Sequence, residues 1–319
     1  MSIRITKKGL LDTIQDKGRY GHQHLGINPT GVMDIVSMRL VNALVGNDEY
    51  EAVIEMHWPA PVIRFEKDCC FAISGAAVTA QLNKQSEVPL NRAVFVKAGT
   101  ELSFEKKSSG ARIYMAIQNG FKLMSWLNSN SSHLQLNIGG QLLTTGSVLQ
   151  YKKEFPYRVS ETRIASWFVQ SPIDLSDKTI HFTTGKEWSL MNEGMKAQFK
   201  QNHYQIDNNS NRMGYRLSGC PVYLEQPTAL ISTAVTRGTI QLLPNGLPLI
   251  LMAEHQTTGG YPRIGHVISA DIPKLAQYET GETIQFKEVT ITEAHNKLRE
   301  LNLYLKQMEI ACKLRMVDL

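Results

Sequence analysis

A chain of 319 residues, 42% hydrophobic and 20% charged, has the make-up of a globular protein with one large or two medium domains. A formal charge of +5, without a Lys/Arg cluster or an interleaved aromatic stripe, argues against nucleic acid, and apolar runs no longer than 247–253 argue against a membrane span. The opening Met1-Ser2-Ile3-Arg4-Ile5 has no apolar signal segment, and Cys69, Cys70, Cys220 and Cys312 form no CxxC pair, so reduced thiols and a cytoplasmic protein are expected.

In chain order, the segment 12–26 is polar and punctuated by glycine. It makes a poor core strand and a good loop for polar ligands, although a solvated loop with Asp16 and Arg19 paired locally also fits. Asp34 can cap a helix over 35–45 that Gly46 stops. Strands rich in Val, Ile, Leu and aromatics are predicted at 62–65, 70–74, 93–96 and 111–118. A polar break with Ser171-Pro172 makes 157–176 the best boundary. Trp188, Met191, Met195 and Phe199 recur at helical spacing and predict a helix over 187–201, weakened by Gly194. Arg212 and Arg216 follow in a turn-rich stretch. Strands are predicted at 239–243 and 248–253, and a short helix capped by Asp271 through residue 277.

Thr290 and Glu293 form a capping box, after which Ala294, Leu298, Leu301, Leu305, Met308 and Cys312 alternate spacings of four and three. That narrow seam is expected to pack on the protein's own body. Stretches 97–104, 144–151 and 279–286 echo one another, each a Gly turn entering an alternating strand; duplication and a cheap β motif both account for this. So many short strands with few helices imply a mainly β protein built of barrels or sandwiches.

Standard catalytic signatures are absent: no GxxxxGK[ST] loop, no HExxH, no GxSxG elbow. His22 and His24 lack a third ligand, so no metal site is expected. The stretch 254–263 follows an apolar strand with two Thr hydroxyls, two glycines and an arginine. It reads as an anion nest in which Arg263 neutralises a carboxylate or phosphate, or as a hairpin turn at Gly259-Gly260.

Taken in order, several segments resemble the KipA-type biotin-dependent carboxyltransferase family. They are 9–21, Gly31-Val32-Met33-Asp34, Ile73-Ser74-Gly75-Ala76, Asn211-Arg212-Met213-Gly214-Tyr215-Arg216-Leu217, Gly238-Thr239-Ile240-Gln241, Asn245-Gly246-Leu247-Pro248, Gln256-Thr257-Thr258-Gly259-Gly260-Tyr261-Pro262 and Val267-Ile268-Ser269-Ala270-Asp271. The resemblance covers residues 3–287 and implies two cyclophilin-like β-barrel domains, here 1–170 and 171–289, followed by a helical tail at 290–319. It implies a part in an ATP-dependent 5-oxoprolinase, which opens 5-oxo-L-proline to L-glutamate with two further chains, one KipI-like and one LamB/YcsF-like, and with ATP and Mg²⁺. Two other family roles stand beside it: antagonism of a KipI-type inhibitor of a histidine kinase, and the carboxyltransferase component of a urea-carboxylase-like enzyme. The chain lacks a Met-Lys-Met biotinylation site, so biotin is not expected on it.

The motif and the polar, Gly-rich loops together single out Arg212, Gln256, Thr258 and Arg263 as catalytic. Gln15, Asp16, Arg19, Thr257, Gly259, Gly260 and Tyr261 are singled out as substrate or phosphate contacts. The chain departs from the family pattern at 119–122, at 127–132 where an arginine is lost, and in having Asn211 and Glu254 where aspartates are usual.

Overall fold

In the computed structural model, which describes residues 2–134, 142–226 and 230–317, strands dominate and helices are few. The chain divides into two compact units. The first comprises Met1–Arg19, Asp34–Pro172 and Leu303–Leu319; the second comprises Tyr20–Met33 and Ile173–Asn302. Pro172 ends a segment of the first unit, within the expected break, but neither unit is one consecutive stretch.

The first unit is a ten-stranded sheet. Its path runs Arg163–Ile164, Val94–Val96, Cys69–Leu82, Glu101–Ile117, Val62–Phe65, Ser2–Lys7 and Val148–Gln150, and it ends there among the described residues. Asp12–Gln15 joins through Val53–His57, and Ser86–Val88 pairs with Cys69–Leu82. The two longest strands, 14 and 17 residues, pair with each other through three register shifts between Gly75 and Ala80. Only their apolar parts, 70–74 and 111–118, are legible as strands in the sequence. The remainder alternates half-exposed and polar residues, and the partner strand, not hydrophobicity, holds it extended.

Ile3, Ile5, Ile54, Phe65, Phe71, Ile73, Ile113 and Met115 form the core of this unit. Asp12 is buried beside it, and one of its oxygens accepts from the Gly9 N–H at 2.7 Å. Burial raises its pKa to about 6, with the Gly9 hydrogen bond pulling the other way. The folded state therefore holds this proton more tightly than the unfolded chain. The contribution of Asp12 to stability should be fullest below about pH 4 and be lost as pH rises through about 6, by about 2–3 kcal/mol. Asp12→Asn should flatten that fall in urea midpoints measured from pH 4 to 8; parallel curves for the two proteins would contradict it.

The second unit closes into a barrel of seven strands: Thr179–Thr184, Arg263–Val267, Thr239–Leu242, Pro248–Leu251, Gly214–Ser218, His203–Ile206 and Thr283–Glu288. The last strand returns to the first as the parallel pair of the ring, the others being antiparallel. An aromatic cluster fills it: Phe199 stacks on Phe286 at 4.6 Å between centroids and meets Phe182 and Trp188 edge-on.

Helix α1, Ile35–Leu44, starts as expected, with the Asp34 carboxylate accepting from the Ser37 N–H at 3.0 Å; Gly46 follows it at φ 73°. The helix predicted over 187–201 is instead a 3₁₀ turn, Lys186–Leu190, and helix α2, Glu193–Gln201. Met191 is extended, and the Asn192 side chain caps α2 by accepting from the Met195 N–H, so the amide beats helical periodicity at that point. Helix α3, Ile272–Gln277, follows Asp271, but the carboxylate does not cap it; it accepts from the backbone N–H and ring Nδ1 of His181.

The capping box of helix α4, Ile291–Val317, forms in both directions between Thr290 and Glu293. Ala294, Leu298, Leu301, Leu305, Met308 and Cys312 are all partly or fully buried on an otherwise mostly exposed helix.

The three echoing stretches share one geometry. Gly99, Gly146 and Gly281 all have φ between 86° and 93°, and each donates its N–H to a strand carbonyl, at Phe65, Ile5 and Ile206 respectively. In each the residue after the glycine donates to the carbonyl three positions before it. A left-handed residue is required there, which accounts for the glycine.

Candidate functional site

The segment 254–263 is neither a nest nor a hairpin turn. Thr258–Gly259 forms a short strand against Thr233–Ala234, and the Thr257 carbonyl accepts from the Val235 N–H at 3.1 Å. A Cβ at 259 would lie 2.5 Å from the Gln241 side-chain nitrogen, so a larger residue there would displace that amide. Thr258 itself is exposed. Gln256 donates to Gln241 at 3.4 Å, and its carbonyl contacts His255 Nδ1 at 2.6 Å. Burial lowers the pKa of His255, and Arg237 nearby adds to this, so its ring is held neutral.

Arg263 enters the barrel strand that follows, and its charge is matched on site. The Glu187 carboxylate accepts from its backbone N–H (2.9 Å), its Nε (3.1 Å) and its Nη2 (2.9 Å). Burial would push the Glu187 carboxyl up, but the hydrogen bonds and charge of Arg263 outweigh it and hold the carboxyl below its usual range. The strand and the 3₁₀ turn meet closely enough that a Cβ on Gly185 would stand 2.1 Å from the Arg263 carbonyl oxygen. Around the pair lies a cleft of about 290 Å³ lined by Lys186, Glu187, Ile231, Gly259, Tyr261 and Arg263, with Leu230 and Thr233 completing it. Of the residues singled out from sequence, this cleft gathers Gly259, Tyr261 and Arg263. Sequence reasoning missed Glu187, which read only as the start of a helix, and Lys186 just before it.

Arg212 lies outside that cleft, 5% exposed, with Nε donating to Glu254 at 2.7 Å and Nη2 to the Gly31 carbonyl at 2.6 Å. Nearby, Asn28 donates to the Glu254 carbonyl, and Arg237 donates to the carbonyls of Val32 and Met33. These bonds hold residues 28–33 to the second unit. The departures from the family pattern are accommodated here: the longer Glu254 still reaches Arg212, and the Asn211 side chain accepts from the Met213 N–H at 2.8 Å, as an aspartate would.

Gln15, Asp16 and Arg19 belong to the first unit and are buried, so they are not a solvated loop. The Asp16 carboxylate accepts from Gly18 N–H (2.8 Å), Asn130 N–H (2.6 Å) and the hydroxyls of Ser129 (2.7 Å) and Ser131 (2.6 Å). Arg19 donates to the Ser131 carbonyl and stands 5.1 Å from the centre of the Trp126 ring. Gln15 donates to Thr13 and to the Ser132 carbonyl. The stretch 127–132, which has lost the family's arginine, is thus the cradle of Asp16.

Comparison with known proteins follows these features across nearly the whole chain. It is 36% identical over 299 residues to the C subunit of the 5-oxoprolinase of Haemophilus influenzae, spanning 93% of this chain and 94% of that protein. It is 31% identical over 307 residues to the C subunit of the 5-oxoprolinase of Escherichia coli, spanning 96% and 97%. The crystal structure of the K. lactis urea amidolyase superposes with a TM-score of 0.87 at 26% identity, over 96% of this chain and 20% of that one. The family model described as carboxyltransferase domain, subdomain A and B, matches residues 25–288, and the chain belongs to that carboxyltransferase domain family.

Proposed function

We propose that this protein is the C subunit of an ATP-dependent 5-oxoprolinase, acting with a KipI-like and a LamB/YcsF-like partner to open 5-oxo-L-proline to L-glutamate. The observation that carries the reading is the near full-length likeness to two proteins named as the C subunit of 5-oxoprolinase. The chemistry adds water across the lactam C–N bond: the carbonyl carbon gains the hydroxyl and the nitrogen gains the proton. An amide carbonyl is a poor electrophile, so charge developing on its oxygen needs donors aimed at it. The cleft of the second unit offers the Tyr261 and Thr233 hydroxyls.

The residues of this cleft do not fit a magnesium nucleotide. At about 290 Å³ it is at the bottom of the range for ligand pockets. Its one carboxylate, Glu187, is committed to Arg263, and no group of three His, Cys, Asp or Glu residues that could hold a metal stands among the described residues. No step through ATP is therefore derived on this chain.

The test is glutamate release from 5-oxo-L-proline with ATP and Mg²⁺, by this chain purified with its two partners and by the same mixture without it. Glutamate only from the complete mixture is expected; none from a complete, folded mixture would sink the reading. The structural likeness to urea amidolyase favours a second reading, carboxyl transfer from a biotin borne on a separate carrier. Activity of the complete mixture that vanishes on adding avidin would replace the first reading with the second.

A further inference from the structure

The arginines singled out from sequence as anion-binding are already engaged. Arg263 makes three hydrogen bonds to Glu187, and Arg212 is buried against Glu254 and the Gly31 carbonyl. The Arg263–Glu187 pair contributes no net charge to the cleft it lines. Lys186 lies beside that pair on the 3₁₀ turn, exposed at the cleft, and its side chain makes no hydrogen bond or salt bridge among the described residues. The side chains lining the cleft therefore carry a net charge of +1. Around it stand the half-buried Leu230, the exposed Ile231, and the side chains of Thr233 and Tyr261. A volume of about 290 Å³ accommodates one small ring.

We infer that Lys186 is a specificity-determining residue, binding the carboxylate of a small cyclic amide acid whose ring lies against Leu230 and Ile231. This rests on the oxoprolinase reading only for the identity of the acid; the charge balance of the cleft is independent of it. Arg263 acts as a positioning residue, since its bidentate grip fixes Glu187 and with it the turn that presents Lys186.

The test is a calorimetric titration of the full chain with 5-oxo-L-proline and with 2-pyrrolidinone, the same ring without the carboxylate. The acid should bind about tenfold more tightly than the neutral lactam, the scale of a charge-assisted contact at a half-open site. Lys186→Ala should abolish that preference while leaving 2-pyrrolidinone unchanged, and Lys186→Arg should keep it. An undiminished preference in Lys186→Ala, or no preference in the unmodified chain, overturns the inference. If the preference behaves as expected while the assembled mixture releases no glutamate, the oxoprolinase reading falls and the carboxylate site stands. If glutamate is released and Lys186→Ala titrates like the unmodified chain, the reverse holds.

Discussion

Replacing Arg212 with Met should lower the stability of the protein by about 3–5 kcal/mol, because it leaves the Glu254 carboxylate buried without its partner. Arg212 and Glu254 are each 5% exposed, and the same guanidinium satisfies the Gly31 carbonyl. The loss should appear as an earlier urea midpoint at neutral pH. The double variant Arg212→Met, Glu254→Leu should recover a large part of it, since two apolar groups leave no orphaned charge. This distinguishes a structural arginine from a catalytic one. If Arg212→Met kept its midpoint while the assembled enzyme lost activity, the arginine would belong to the chemistry.

Phe199→Ala should cost about as much, some 3–5 kcal/mol, by a different cause: a cavity in the middle of an aromatic cluster. The ring is fully buried, lies nearly parallel to Phe286 at 13°, and touches Phe182, Trp188 and Tyr204. Helix α2 presents only this one residue as fully buried, with Met195 partly buried against the same core. Phe199→Leu should recover much of the loss by refilling the space. Calorimetric melting of the three proteins checks the order; equal melting temperatures would mean the cluster collapses around the missing ring.

What the sequence disclosed was local. Asp34 announced α1 and Thr290 with Glu293 announced α4, because each cap is made within three residues of itself. The seam of α4 was legible because burial follows helical periodicity directly. The strand at Val62–Phe65 stood out because its apolar residues were dense enough to need no partner to reveal them. By contrast, Glu187 and Arg263 are 76 positions apart, and nothing near either one signals the other. The polar segment at Gln15–Arg19 read as a ligand-binding or solvated loop because the serines that surround Asp16 come more than a hundred residues later. Arg212 and Arg263 were singled out as catalytic, and in the structure each is paired with a carboxylate of this chain from far along the sequence.

The chain passes from the first unit to the second after Arg19, back at Asp34, out again after Pro172 and back once more at Leu303. During synthesis this imposes an order. The second unit receives residues 20–33 long before the barrel that Arg212 and Arg237 will use to grip them exists. The first unit, although most of it is made early, is not complete until Leu305 and Cys312 have left the ribosome to take their buried places. Contacts that close over such distances form slowly and leave apolar surface waiting. Leu305 and Cys312 thus join a unit from whose earlier segments they are separated along the chain by the whole of 173–302.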